Sequence, residues 1–268
     1  MQWETAPATV RFIDELEAGD AMRLDVATMC IAAHARPGLD IDRAVDGFDR
    51  VAAHPALHRG ALDAAGLAAH LFSPGGFVGN TAAYDDPRNS YMDVVLERRL
   101  GIPITLAVVM LETGRRIGVS TVGIGMPGHF LTRDGRDPTA FFDPFHGGAP
   151  LDETGCRARY HALAGPDAPW HPALLAPVGP VDIVTRMLTN LQQVAVRRHS
   201  VEGVWAARLR LLVPALPVQD RLASARVLGE FGRHLEAARA LDSIAAMLPE
   251  AQAGSVATEA DGWRARAN

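Results

Sequence analysis

The chain is 268 residues long, 48% hydrophobic and 21% charged, with a formal net charge of −5. This is the composition of an ordinary soluble globular protein, and the length accommodates one large domain or two small ones. All 26 basic residues are arginine, and they form no basic stripe, so nucleic acid is excluded as an expected partner.

In chain order, Met1-Gln-Trp-Glu-Thr5 shows no basic region leading into an apolar run, so no secretory signal is expected. Residues 9–36 predict a helix or helix pair, with Val10, Ile13, Leu16, Met22, Leu24, Val26, Met29 and Cys30 at near-helical spacing. Pro37-Gly38 ends it. Asp40 is the expected N-cap of a helix over 41–53, with Ile41, Ala44, Val45, Phe48 and Val51 inward. A third helix is expected over 58–72, closed by Ser73-Pro-Gly-Gly76, and a fourth over 89–100 after the Asp85-Asp-Pro87 turn. Pro103 suits the first turn of the next helix, about 104–117, which is apolar almost all round and should be buried. Gly118 is its natural stop.

The period then changes. Val119–Ile124, Phe130–Arg133 and Ala140–Asp143, each bounded by Gly, Pro or Asp, predict a small antiparallel sheet. Residues 163–180, with Pro166, Pro169, Pro172, Pro177 and Pro180, predict a linker or a surface-wrapped stretch. From 181 the pattern is helical again. Two blocks align at a spacing of 32 residues: Trp205 with Ala237, Ala206 with Ala238, Leu209 with Leu241, Leu212 with Ile244, Leu216 with Leu248 and Pro217 with Pro249. Such a period suggests tetratricopeptide-like hairpins.

The chemistry concentrates in residues 89–148. A hydroxyl residue, Thr105, opens the buried helix, His129 follows, and Asp143 follows that. This is the chain order of a nucleophile–His–Asp constellation. Free N–H groups and the helix dipole at a helix start stabilise developing negative charge, so the place suits a nucleophile. The alternative is that Thr105 only caps its helix through its hydroxyl, because a threonine attacks poorly without an adjacent base. His129, beside Gly128, either serves as that base or is a buried imidazole satisfied by a carbonyl. Asp143 either orients the imidazole from a neighbouring strand or forms an Asx turn before Pro144. Asn89 either donates to an oxyanion or caps a helix. Glu97, Arg98 and Arg99 read as a structural ion-pair group. His129, Asp143 and His146 are potential metal ligands, but no His-x-x-x-His or Cys-x-x-Cys spacing supports a metal, and none is expected. No cofactor loop is visible. Cys30 and Cys156 are too few and too far apart for a disulfide framework, which predicts reduced thiols and a cytoplasmic location. No apolar run approaches the ~20 residues of a bilayer span, so no membrane association is expected.

Three runs carry a family resemblance: Asn89-Ser-Tyr-Met with Leu96-Glu-Arg-Arg and Gly101-Ile-Pro-Ile-Thr-Leu-Ala107; Gly125-Met-Pro-Gly-His-Phe-Leu131; and Asp143-Pro-Phe-x-Gly-Gly148. With Arg186-Met-Leu-Thr-Asn-Leu191, they resemble the SirB-type bacterial family. The resemblance implies an α+β fold: a transglutaminase-like, papain-like core, mostly helical with a small antiparallel sheet, followed by an α-helical hairpin domain. The expected domains are a core over 1–162, a Pro-rich linker over 163–180 and a tetratricopeptide-like domain over 181–268. The resemblance places Thr105 where active transglutaminases carry cysteine, and His146 where the family's run more commonly has asparagine. It implies either acyl transfer or amide hydrolysis on a peptide or protein by Thr105, His129 and Asp143, with Asn89 at the oxyanion, or a catalytically silent scaffold that binds a peptide or protein partner.

Overall fold

The structure, a computed structural model, describes residues 3–58 and 62–267. Met1, Gln2, 59–61 and Asn268 lie outside the described residues, and with them the extreme N-terminus and the first turn expected for the third helix. Two compact units divide the chain, Met1–Met187 and Leu188–Asn268.

The first unit opens with α1 (Pro7–Glu17) and α2 (Leu24–Ala35), so the 9–36 region is a helix pair. Next come α3 (Ile41–Ala52), α4 (Ala64–Leu71) and α5 (Met92–Arg98). The Asp40 side chain accepts from the Arg43 amide, the expected N-cap of α3. Two short parallel strands, β1 (Val78–Gly79) and β2 (Leu100–Gly101), which sequence periodicity did not reveal, pair with each other. Strands of two residues carry no readable alternation.

The centre of this unit is α6 (Pro103–Ile117). Pro103 occupies the first turn, and Gly118 ends the helix in the left-handed region at φ 76. Every residue from Pro103 to Met110 is buried. Burying a large apolar side chain is worth about 1.5–3 kcal/mol, so this stretch is a centre of packing. The polar end of α6 is held by charge. Arg116 reaches Asp25 on α2 at 2.6 Å and Asp49 on α3 at 2.5 Å, and Glu112 on its own helix at 2.5 Å. The Asp25 side chain is fully buried and also meets Arg115 at 3.1 Å, so neither charge is left unpaired.

Beyond α6 lies one antiparallel sheet in the order β6-β5-β4-β3-β7. Its strands are β3 (Thr121–Ile124), β4 (Leu131–Asp134), β5 (Phe141–Asp143), β6 (Ala149–Leu151) and β7 (Pro177–Val178), with α7 (Glu153–Ala164) between the last two. The expected helix-then-sheet core is thus the observed one: mostly helical, with one small antiparallel sheet. The stretch 163–180 contributes β7, which pairs with β3. The sheet covers a core of Ile124, Met126, Leu131, Phe141, Cys156, Tyr160 and Leu175.

A long helix, α8 (Pro180–Arg197), spans the boundary between the units. The second unit continues with α9 (Glu202–Leu212), α10 (Val218–Glu230), α11 (His234–Ala245) and α12 (Glu250–Ala265). Ala206 and Leu209 of α9 are buried, and so are Ala238 and Leu241 of α11, their counterparts at the 32-residue spacing. Among the described residues no helix is long and apolar enough to cross a membrane.

Candidate active site

His129 and Asp143 meet because of strand register. β4 and β5 pair Thr132 with Phe142 and Arg133 with Phe141. Continuing that register sets Asp143 opposite Leu131, two residues from His129. Side chains two apart share a face, so the imidazole and the carboxylate project to the same side. The turn before His129 fixes the approach: Gly128 has φ 76, and the His129 amide donates to the Met126 carbonyl at 3.1 Å. His129 Nε2 lies 2.9 Å from Asp143 Oδ1. The carboxylate is fully buried and the imidazole nearly so.

Asp143 is shared. Its Oδ1 also accepts from the Phe145 and His146 amides at 3.2 and 3.3 Å, the Asx turn into the short 3-10 segment Pro144–His146. Its Oδ2 meets His146 Nδ1 at 2.9 Å and Arg159 Nε at 3.2 Å. Burial pushes the Asp143 carboxyl up, but the bond and charge of His129, then those of His146, outweigh it and hold the group below its ordinary value. A carboxylate oxygen only accepts, so a ring nitrogen meets it as a donor through its N–H. Both readings of the aspartate therefore hold at once: it orients His129 and it caps a turn.

Thr105 stands at the third position of α6, fully buried. Its Oγ1 accepts from the Ile102 amide at 3.1 Å, which satisfies the N-cap amide; Ile102 has no side-chain acceptor to return the bond. Its single proton faces the Asn89 carbonyl at 2.8 Å and the Ile102 carbonyl at 3.1 Å. A Cβ on Gly101 would lie 2.7 Å from this oxygen, so backbone closes over it. Among the described residues no hydrogen bond joins Thr105 to His129. Asn89 is equally committed: its Nδ2 donates to the Ala83 and Tyr84 carbonyls at 2.7 and 3.1 Å, and its Oδ1 accepts from Asn80 Nδ2 at 2.9 Å. These bonds tie the Asn89 amide, the candidate oxyanion donor, to the loop 80–86.

Four side chains that sequence reasoning assigned no role shape the site. Phe145 sets its ring edge-on to His129, with centroids 6.3 Å apart, and edge-on to Tyr84 at 5.8 Å. Arg159 of α7 braces Asp143. Arg186 of α8 donates to the Met126 and His129 carbonyls at 2.8 Å each, pinning the turn that carries the imidazole. Burial pulls the Arg186 guanidinium below its ordinary value. Arg186 lay in a run that carried the resemblance, but nothing in spacing pointed to its carbonyl partners. Of the expected ion-pair group, Arg98 pairs with Asp86 at 3.7 Å, whereas Arg99 donates to the Gly75 carbonyl at 2.8 Å. A cleft of about 1180 Å³ lined by Arg43, Arg50, His54, His70 and Glu97 lies elsewhere, and none of Thr105, His129 and Asp143 lines it.

The chain is similar to several known proteins. A UPF0162 protein of Xylella fastidiosa strain Temecula1 is 41% identical over 168 residues, 60% of each chain. A UPF0162 protein of Pseudomonas aeruginosa is 36% identical over 126 residues, 46% of this chain and 44% of its own. F-box only protein 21 of Mus musculus is 42% identical over 57 residues, 21% of this chain and 9% of its own. The chain therefore spans about 60% of the length of the Xylella relative it matches. No solved structure matches it significantly. A family model for the transglutaminase-like superfamily matches residues 40–189, more than half of the chain, from the cap of α3 through the Thr105 helix, His129 and Asp143. The chain belongs to the transglutaminase-like superfamily.

Proposed function

We propose that this chain is a catalytically silent member of its superfamily, of SirB type, that holds a peptide or protein segment beside His129. One observation carries the reading. The hydroxyl in the nucleophile's place has no exposed surface and directs its proton to backbone carbonyls of Asn89 and Ile102, not to His129. Acyl transfer needs that proton to pass to the base and the oxygen to reach a carbonyl carbon.

The surroundings favour binding. Val78, Tyr84 and Leu163 are large apolar or aromatic side chains left 50%, 45% and 54% exposed. All three border the site. Tyr84 touches Phe145. Val78 precedes Gly79, whose Cβ would lie 2.4 Å from the Phe145 carbonyl, and Leu163 lies against Gly128. A rim of this kind around a polar centre suits an extended peptide bearing an apolar side chain. The hairpins from α9 onward, read as tetratricopeptide-like, add a second surface of the sort repeat helices offer to partners.

The second reading, acyl transfer by Thr105, keeps one observation in its favour: the His129–Asp143 pair is intact and buried. A Thr105→Cys variant separates the two. In the silent reading the new thiol alkylates no faster than Cys30 and Cys156. Rapid alkylation that His129→Ala abolishes would overturn it. Binding is read on an array of short synthetic peptides: capture should survive Thr105→Val and fall in Tyr84→Asp and Leu163→Asp.

A further inference from the structure

The geometry points to a divalent-metal site at His129, Asp143 and His146, of a kind that takes Zn²⁺ through two imidazole nitrogens and one carboxylate oxygen. It rests on a different observation from the peptide reading. One donor atom from each of the three residues lies within 4.8 Å of the others. The two His–Asp contacts are 2.9 Å each. In a tetrahedral Zn²⁺ site with bonds of about 2.0–2.1 Å, neighbouring donor atoms stand roughly 3.3 Å apart. The two contacts fall on different oxygens, Oδ1 for His129 and Oδ2 for His146, so one nitrogen needs to spread only slightly from the chosen oxygen while the other closes on it from within 4.8 Å. Two nitrogens and one carboxylate oxygen suit Zn²⁺ over Mg²⁺ or Ca²⁺, and three protein ligands leave a fourth position open.

The supports around these ligands are already built. Asp143 Oδ1 is aimed by the Phe145 and His146 amides. The His129 backbone is clamped by Arg186 and by the Met126 carbonyl. Such outer contacts orient metal ligands and normally matter for affinity. Entry lies on the His146 side, where the side chain is 40% exposed, while Asp143 is fully buried.

One group opposes the ion. Arg159 sets Nε 3.2 Å from Asp143 Oδ2 and Nη1 3.4 Å from His146 Nε2. It occupies the carboxylate as a cation would. Zn²⁺ binding therefore exchanges one positive group for another. Each ring nitrogen that now donates to Asp143 must present a lone pair instead. A neutral imidazole moves its proton to its other nitrogen, and a charged one releases it to solvent. For His146 that other nitrogen is the one facing Arg159, so the guanidinium must swing away as the ion enters.

The test is Zn²⁺ binding by the full chain, measured by competition with a chromophoric chelator and by Co²⁺ absorption. One ion per chain is expected. His146→Ala, at the exposed ligand, should weaken binding by at least about tenfold, the scale on which even outer-sphere losses act. Arg159→Gln should strengthen it, because it removes the competing charge. His54→Ala, in the remote His54–His70 pair, should change nothing. Circular dichroism confirms that each variant is folded, and His146 and Arg159 are exposed enough to substitute safely. Affinity unchanged in His146→Ala, or unchanged in Arg159→Gln, would overturn the site, as would absence of binding. None of these outcomes depends on whether a peptide binds or Thr105 reacts.

Discussion

Replacing Thr105 with valine tests the reading of the nucleophile position most directly. The substitution keeps the shape of the side chain and removes only the hydroxyl. Three backbone groups lose a partner: the Ile102 amide and the Asn89 and Ile102 carbonyls, the last two having shared one proton. Loss of a helix cap costs about 0.5–2 kcal/mol. A buried group left unsatisfied costs about 1–3 kcal/mol. The two figures overlap at Ile102, so a net loss of about 2–3 kcal/mol is expected. Thr105→Ser supplies the contrast. It keeps every hydrogen bond and deletes one buried methyl, which costs about 1 kcal/mol. The assay is native-state hydrogen exchange on the α6 amides across a urea series, which reports the first unit separately from the second. Thr105→Val should speed exchange at Ile102 and lower α6 protection well beyond Thr105→Ser. Equal protection in Thr105→Val and the native chain would refute the argument. It would mean that the hydroxyl is not committed to the cap and is free to serve as a nucleophile.

Further outcomes follow from the same geometry. Burial pushes both Cys30 and Cys156 up to about 12, so neither should react with a disulfide reagent at pH 8 until denaturant is added; fast native-state reaction of either would contradict its placement. Asp143 is held below its ordinary value of 3.8 in the folded chain, so its contribution to stability is complete above that pH and is lost as pH falls through the lower folded value; Asp143→Asn should flatten the acid limb of a stability–pH curve. Gly147 and Gly148 both have positive φ, but a Cβ meets nothing at Gly147 and lies 2.8 Å from Phe72 Cδ2 at Gly148. Gly147→Ala should cost about 1–2 kcal/mol in melting experiments and Gly148→Ala clearly more. Arg186→Leu should release the Met126 and His129 carbonyls, and NMR should then show the His129 ring resonances broadened while those of His54 stay sharp.

Much of the first unit is written locally in the chain. Asp40 caps α3, Pro103 starts α6 and Gly118 stops it because each acts on backbone within a turn of itself. The change from helical to alternating period at 119 marks the sheet for the same reason: periodicity is a local property. His129 and Asp143 were readable as partners because short antiparallel neighbours keep sequence-close residues in register. The strands β1, β2, β6 and β7 were not readable, since two or three residues show no period and their pairing is decided by other segments.

The site divides along the same line. The sequence by itself determined which residue types stand at 105, 129 and 143, and that Thr105 opens a helix while His129 and Asp143 edge a sheet. That the Thr105 hydroxyl is directed to the Asn89 and Ile102 carbonyls is decided inside a packed core. That choice depends on Asn89, sixteen residues away, and on Gly101 closing over the oxygen. Likewise only the tertiary structure brings His146 and Arg159 to the second oxygen of Asp143, and Arg186 to the carbonyl of His129. Hydrogen bonds select partners by distance and direction in space, and those quantities exist only once the elements have packed.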